Sequence, residues 1–101
     1  MVQKQKNKNG LIYYKINNED QLKLILFRIL GFSCDSCNKT IEKVYYIPVL
    51  NWGMCEECFQ DWKNRAIKYA EDEWFEKQNV TWFEEQCKKC SVEVENTYVK
   101  V

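Results

Sequence analysis

Histidine is absent from the 101-residue sequence. Histidine is the side chain that most often serves as a general base or proton shuttle, so its absence removes the commonest route to acid–base catalysis. A glycine-rich phosphate-binding loop is absent as well, and no serine or cysteine has an evident base beside it in the sequence. We therefore expect a protein that is not an enzyme.

An excess of either charge is also lacking, since Lys and Arg number 15, Asp and Glu number 15, and the formal net charge is zero. This balance argues against a general affinity for nucleic acid. The most apolar run, from Leu22 to Leu30, is interrupted by Lys23 and Arg28 and is too short to span a membrane. The first ten residues are basic and polar, and no apolar signal-peptide region follows them. We expect a cytoplasmic protein without a membrane segment.

Cysteine, by contrast, is plentiful: six cysteines form three Cys-x-x-Cys pairs, and seventeen residues separate the first two pairs. In a reducing cytoplasm this spacing is typical of a zinc site, because each pair can direct two thiolates from one tight turn toward a shared ion. With no histidine available, four thiolates fill the coordination sphere and leave no position for a reactive water. The prediction is one structural zinc ion per chain, bound by Cys34, Cys37, Cys55 and Cys58.

The third pair, Cys87 and Cys90, lacks two further Cys or His ligands within the chain. The pair could complete a second, shared zinc site with the same pair of another copy in a homodimer. It could instead form a disulfide or redox-active dithiol, or it could have no role. The flanking Lys88 and Lys89 predict a lowered pKa for these thiols, which suits metal or redox chemistry.

The arrangement of Cys34, Cys37, Cys55 and Cys58 resembles the treble-clef class of four-cysteine zinc-finger modules. In that class the first pair lies on a knuckle, and the second pair occupies the first turn of a helix. The match covers about residues 32–70. The resemblance implies fold and metal, but the class includes nucleic-acid binders, ubiquitin-system modules, ribosomal proteins and scaffolds, so it implies no single function. The composition, rich in Lys, Asn and Ile, resembles that of a small bacterial or phage protein.

The chain divides into an arm and one domain. Residues 1–10, with Lys4, Lys6 and Lys8 and almost no apolar side chain, predict a flexible basic arm. Residues 11–101 predict a single zinc-binding domain whose zinc core spans about residues 32–78. We expect an α+β fold, small and zinc-nucleated, with an N-terminal strand and helix and a C-terminal helix and strand around a treble-clef-like core.

Local patterns predict the elements before the second cysteine pair. Aromatic and β-branched residues predict a strand over 11–16. Apolar residues at helical spacing predict a helix over 22–30, with its apolar face in the core by default and Gly31 as its C-cap. A hairpin follows the first cysteine pair, and Pro48 predicts that its second strand lies at a sheet edge.

The second half of the chain is expected to be largely helical. A helix is predicted from Cys55 to about Lys77. Thr81 and Glu84 form a capping box that predicts a second, short helix toward the third cysteine pair. Alternation over residues 91–101 predicts a final strand, which we expect to pair with the first one.

The acidic and aromatic character of the second half favours protein recognition. Residues 55–86 carry nine acids and four bases, so this region would be repelled by phosphate. Tryptophan and tyrosine are frequent anchors of protein interfaces. Four tryptophans exceed what so small a core needs, so we expect at least one to be exposed. The candidate partner-binding residues are Trp62, Trp74, Trp82 and Phe83.

We therefore expect a small non-enzymatic zinc-binding protein that acts through protein–protein interaction. It would serve as an adaptor, a regulator or a phage-type inhibitor of a host nucleic-acid machine. One alternative is a nucleic-acid-binding regulator that uses the basic arm and the zinc hairpin. A second alternative is a redox-sensitive zinc protein that acts through Cys87 and Cys90.

Overall fold

A computed structural model describes residues 1–97 of the chain as a mixed α+β domain. Its five strands form one sheet in the order β4-β3-β2-β1-β5. The β1–β5 pair is parallel and the other neighbouring pairs are antiparallel. A short 3-10 turn precedes the last helix. In chain order the elements are β1 (Val2–Lys6), β2 (Ile12–Ile16), α1 (Asn18–Leu26), β3 (Tyr45–Ile47), β4 (Trp52–Met54), α2 (Glu56–Arg65), α3 (Glu73–Lys89) and β5 (Val94–Asn96).

Helices cover both faces of the sheet, which explains why β2 and β3 contain consecutive buried aromatic residues. Successive side chains of a strand point to opposite faces. On one face Phe59 of α2 packs against Tyr13 of β2, and on the other Phe83 of α3 packs against Tyr14, each with ring centroids 4.7 Å apart. The two tyrosines of β3 repeat this pattern. The ring centroid of Tyr45 lies 3.8 Å from that of Phe59, and the ring centroid of Tyr46 lies 4.3 Å from that of Phe83. The central strands are therefore buried on both sides.

The expectation of a flexible basic arm over residues 1–10 is wrong, because β1 is an internal strand of the sheet. It pairs with β2 over five residues and with β5 over three. Val2 is fully buried, and the Lys4 ammonium lies 2.8 Å from the Glu84 carboxylate of α3. Backbone pairing with two neighbours holds this polar segment in place, and a composition rich in lysine and glutamine does not reveal such pairing.

Asn7, a buried polar residue, organises the turn between β1 and β2. Its side-chain oxygen accepts hydrogen bonds from the backbone N–H groups of Asn9 and Leu11, at 3.0 and 2.9 Å. Its side-chain nitrogen donates to the carbonyl of Ala66, just beyond α2, at 3.2 Å. One side chain thus provides hydrogen-bond partners for two amides of the turn and for a carbonyl at the end of a helix, where carbonyl groups lack intrahelical partners.

The edge position expected for the strand near Pro48 is wrong, because β3 lies between β2 and β4. Since β3 ends at Ile47, Pro48 stands outside the ladder and removes no strand hydrogen bond. The Pro48 carbonyl accepts a 2.8 Å hydrogen bond from the side chain of Asn79 in α3. The final strand also differs from expectation, since β5 pairs with β1 and not with β2. Residues 98–101 of that expected strand lie outside the described residues.

The first helix, α1, ends four residues earlier than expected and presents a different side to the core. It begins after Asn17, whose side-chain oxygen accepts a 2.8 Å hydrogen bond from the N–H group three residues on. It ends at Leu26, because Arg28 adopts a φ of 61° that does not continue a helix. Leu24 is buried, whereas Leu22 and Leu26 are exposed. Much of the apolar stripe expected in the core therefore lies on the surface.

The break between the later helices also falls elsewhere. α2 ends at Arg65, before the expected end near Lys77, and α3 runs without interruption through Asn79 and Thr81. Asn79 is buried and uses its side chain to bond the loop after β3. Packing of α3 on the sheet thus overrides the local pattern that favoured a helix end and a new cap.

We expect Asn7→Ala to lower the free energy of unfolding by about 1–3 kcal/mol, because it leaves buried backbone groups without partners. Chemical denaturation would measure this loss. Lys8→Ala, which changes an exposed residue of the same turn, is the matched control and should have little effect. Equal stability of the two variants would show that the Asn7 hydrogen bonds contribute nothing net.

Candidate metal centre

Four cysteine sulfur atoms converge at the junction of the first Cys-x-x-Cys turn and the start of α2. The Sγ atoms of Cys34, Cys37, Cys55 and Cys58 all lie within 4.8 Å of one another. The Cys37 and Cys55 sulfurs are 3.8 Å apart. A tetrahedral ion with sulfur ligands at about 2.3 Å requires sulfur–sulfur distances of about 3.8 Å. The donor set and its spacing therefore suit a metal ion that prefers thiolates.

The first cysteine pair is directed by a tight turn, which we call the knuckle (residues 33–40). Ser33 and Thr40 form an isolated antiparallel bridge at its base. Inside it, the Cys34 N–H donates to the Lys39 carbonyl and the Asn38 N–H donates to the Cys34 carbonyl, both at 2.8 Å. Asn38 has a φ of 65°, a left-handed conformation that asparagine tolerates well. The turn places both thiols of the pair on the same ion position.

The second cysteine pair is directed by the N-terminus of α2. Cys55 is the N-cap residue and Cys58 lies in the first turn, where the helix dipole favours negative charge. Phe59 follows directly, and its ring stacks on that of Tyr45 in the sheet. The aromatic packing in the core thus fixes where α2 begins, and with it the position of two of the four sulfurs.

Asp35 and Gly53 connect the knuckle to β4. The Gly53 N–H donates to the Asp35 carboxylate at 2.8 Å, and the Asp35 N–H donates to the Gly53 carbonyl at 2.9 Å. A Cβ at Gly53 would lie only 3.3 Å from a methyl carbon of Val44, so a larger residue fits poorly. Sequence reasoning missed this pair of residues. An aspartate between the two cysteines of the first pair was the available signal.

The thiols of the cluster differ in acidity because their hydrogen-bond partners differ. Burial raises the pKa of Cys34, but the amides of Cys55, Cys37 and Ser36 outweigh it and lower the value to about 6. The Ser36 hydroxyl lowers the pKa of Cys58, yet the neighbouring thiols and burial raise it to about 12. Beside the other three sulfurs, the Cys58 thiol therefore resists ionisation. A bound cation removes that restriction, because the ligand form of cysteine is the thiolate.

Cys87 and Cys90 lie apart from this cluster, at the end of α3, and both are buried free thiols. The expected lowering of the thiol pKa is wrong for Cys87, because burial raises its pKa to about 12. Lys88 and Lys89 are exposed and do not offset that burial. A zinc site shared with a second copy, or a reactive dithiol, needs accessible sulfur, and the burial of both side chains opposes these interpretations.

The candidate partner-binding residues divide between core and surface. Trp62 and Phe83 are 4% and 0% exposed, so both side chains pack in the core. Trp74 and Trp82 are 66% and 38% exposed. The expectation that at least one tryptophan is exposed is therefore confirmed.

A groove of about 650 Å³ runs beside the cysteine cluster, and we call it the metal-side groove. Its wall includes two of the cysteines, Cys37 and Cys58. Apolar surface comes from Leu50 and Trp52 in the hairpin and from Ile67 and Tyr69 after α2. Sequence reasoning did not find this groove, because its lining comes from segments that only the fold brings together.

Comparison with known proteins leaves the functional argument to the site itself. No family model matches the chain, and neither a curated protein nor a solved structure is significantly similar to it. Within residues 1–97, no helix combines the length and the apolar character needed to cross a bilayer. The cysteine cluster and the groove beside it are therefore the features from which a function is argued.

We expect Cys87 to resist alkylation in the folded protein. Its pKa of about 12 keeps the buried thiol protonated at pH 8, and only the thiolate reacts readily. Because the pKa of Cys87 is higher in the folded protein than in the unfolded chain, the neutral thiol also stabilises the folded state. This stabilisation is complete below about pH 8.5, the pKa of a free thiol, and is lost as the pH rises toward 12. Mass spectrometry after iodoacetamide treatment would measure the alkylated fraction of Cys87 across pH 8 to 11, with a denatured sample as control. Rapid labelling of Cys87 at pH 8 in folded protein would contradict the expectation.

Proposed function

We propose that the chain is a small non-enzymatic zinc-binding protein with a treble-clef-like core, and that it acts by binding a partner protein in the metal-side groove. The observation that carries the proposal is the convergence of four thiols within 4.8 Å of one another. Four thiolates give zinc a closed, structural site, because no position remains for water or substrate.

The order of the elements around the cluster supports the treble-clef-like interpretation. The knuckle supplies the first two thiols, the β3–β4 hairpin follows, and α2 supplies the other two from its first turn. Zinc would then join two segments that are separate in sequence, the knuckle and the start of α2.

The energetic role proposed for zinc follows from its usual binding strength. A structural zinc site contributes an apparent binding free energy of about 10–16 kcal/mol, comparable to the whole net stability of a small domain, about 5–15 kcal/mol. Loss of the metal would release the knuckle, whose other contacts with β4 and α2 are the hydrogen bonds between Asp35 and Gly53 and the exposed Lys39–Glu57 ion pair. The sheet between α2 and α3 has its own aromatic core, as the Tyr14–Phe83 contact illustrates.

The chemistry of the groove supports a particular kind of partner. Among its charged lining residues, Arg65 pairs with Asp61 at 2.8 Å and Lys39 pairs with Glu57 at 3.5 Å. Asp72 also lines the groove and has no ion pair within residues 1–97. One zinc with four thiolates would add a net charge of −2. The groove therefore suits a protein segment that carries an apolar side chain next to a lysine or arginine.

The two alternative functions lack comparable support. The nucleic-acid hypothesis relied on a mobile arm carrying Lys4, Lys6 and Lys8, whereas Lys4 and Lys6 lie in β1 within the sheet and Lys8 lies in the turn that follows it. The redox hypothesis relied on Cys87 and Cys90, which are buried. Neither alternative is favoured by a specific feature of the structure.

Metal stoichiometry tests the zinc site. Native mass spectrometry of the full chain, purified under reducing conditions, should show one zinc ion per chain. Cys58→Ser should lose the ion because it removes a ligand, whereas Cys90→Ala, which changes a cysteine outside the cluster, should retain it. Three zinc ions per two chains would support a shared site at the third cysteine pair instead. A chain without metal, whose melting temperature is unchanged by a chelator, would contradict the zinc proposal.

Peptide selection tests the groove. Zinc-loaded protein should enrich a random peptide display library in segments that combine apolar residues with Lys or Arg. Fluorescence polarisation should then show that Trp52→Ala weakens binding of the selected peptides at least about tenfold, the loss expected for an interface anchor. Trp74→Ala is the matched control, because Trp74 is exposed but does not line the groove. Equal binding by the two variants would contradict the groove proposal, and salt-sensitive retention on DNA would favour the nucleic-acid alternative.

A further inference from the structure

One face of α1 combines exposed leucines with charged residues. Glu19, Leu22, Lys23 and Leu26 recur at i, i+3, i+4 and i+7, so they share one side of the helix. Leu22 is 58% exposed and Leu26 is 71% exposed. The opposite side of α1 is the buried one and carries Leu24. We call the exposed side the α1 face.

Apolar surface continues beyond the C-terminal end of the α1 face. Phe27 is 63% exposed and Phe32 is 68% exposed. Large apolar side chains that cluster on the surface of a soluble protein, with charged residues around them, are characteristic of an interaction site. The charges on this helix indicate what kind of surface would cover it.

The charges of α1 are arranged with opposite signs at its two ends. Glu19 lies in the first turn, Lys23 lies in the last turn, and Arg28 lies just after the helix. None of these three side chains forms an ion pair within the described part of the chain. An unpaired acid, Glu19, therefore precedes the exposed leucines and an unpaired base, Arg28, follows them, while Lys23 lies between them.

We propose that the α1 face is the interface of a homodimer, in which two α1 helices pack antiparallel about a two-fold axis. A two-fold axis brings the same patch of both copies together, so a patch must complement itself. Antiparallel packing sets Leu22 of one copy against Leu26 of the other and brings Glu19 toward Arg28 of the other. Glu19 and Arg28 each gain an opposite partner, the leucines leave the solvent, and Lys23 lies at the margin of the interface, where its long side chain keeps the ammonium in water.

This interface differs from the homodimer that a shared metal at the third cysteine pair would produce. The α1 face uses no cysteine and is not part of the metal-side groove. Dimerisation through α1 is therefore independent of the proposed zinc and peptide-binding functions, and either can fail without the other.

Sedimentation velocity of the zinc-loaded full chain over a range of concentrations tests the proposal. Wild type should show a concentration-dependent monomer–dimer equilibrium, and Leu26→Glu should raise the dissociation constant at least tenfold. Trp74→Glu introduces the same charge at an exposed site outside the α1 face and should leave the equilibrium unchanged. Circular dichroism and zinc content would verify that each variant is folded.

Exchanging the charges at Glu19 and Arg28 provides a more specific test of the proposed dimer. Glu19→Arg and Arg28→Glu should each weaken self-association, because each places like charges together in the dimer. A mixture of the two variants should form a heterodimer, since both contacts then join opposite charges, and the double variant should dimerise like wild type. The proposal is overturned if wild type stays monomeric, if Leu26→Glu has no effect, or if Cys87→Ala with Cys90→Ala abolishes the dimer instead.

Discussion

The constraint on which the middle of this molecule depends is the convergence of four thiol groups within 4.8 Å. Thiolates at such separations repel one another, and the neighbouring thiols raise the pKa of Cys58. A divalent cation bound here would convert this repulsion into attraction and would join the knuckle to α2. The knuckle would gain from such a link, because its other connections are backbone hydrogen bonds, the contact between Asp35 and Gly53, and an exposed ion pair between Lys39 and Glu57.

Aromatic packing stabilises the sheet, and the position of α2 on the sheet determines where the second cysteine pair lies. Phe59 and Phe83 hold α2 and α3 on opposite faces of the central tyrosines. Because Phe59 follows Cys58 directly, the packing of α2 against the sheet decides where the second cysteine pair lies. The groove between the cluster, the hairpin and the segment after α2 therefore takes its shape from the aromatic core and the metal centre together.

Several local patterns were outweighed by pairing or packing elsewhere in the chain. The lysine-rich N-terminus has the composition of a solvated tail, yet β1 gains backbone partners on both sides. Asparagine often marks a helix end, yet Asn79 lies within α3, and its side chain donates a hydrogen bond to the Pro48 carbonyl. The apolar spacing in α1 describes a helix correctly, but two leucines at that spacing are exposed. Periodicity shows which residues share a face, and it does not show which face meets the core.

The sequence by itself determined the donor set and the class of fold. Two closely spaced thiol pairs are a local feature whose chemistry hardly depends on the remaining chain, so the approach of Cys34, Cys37, Cys55 and Cys58 could be predicted. Only the tertiary structure decided the strand order, the placement of β1 and β5, the burial of Cys87, and the groove beside the cluster. These features rest on contacts between residues far apart in sequence, and no local pattern of side chains specifies which distant segment a strand or helix will meet.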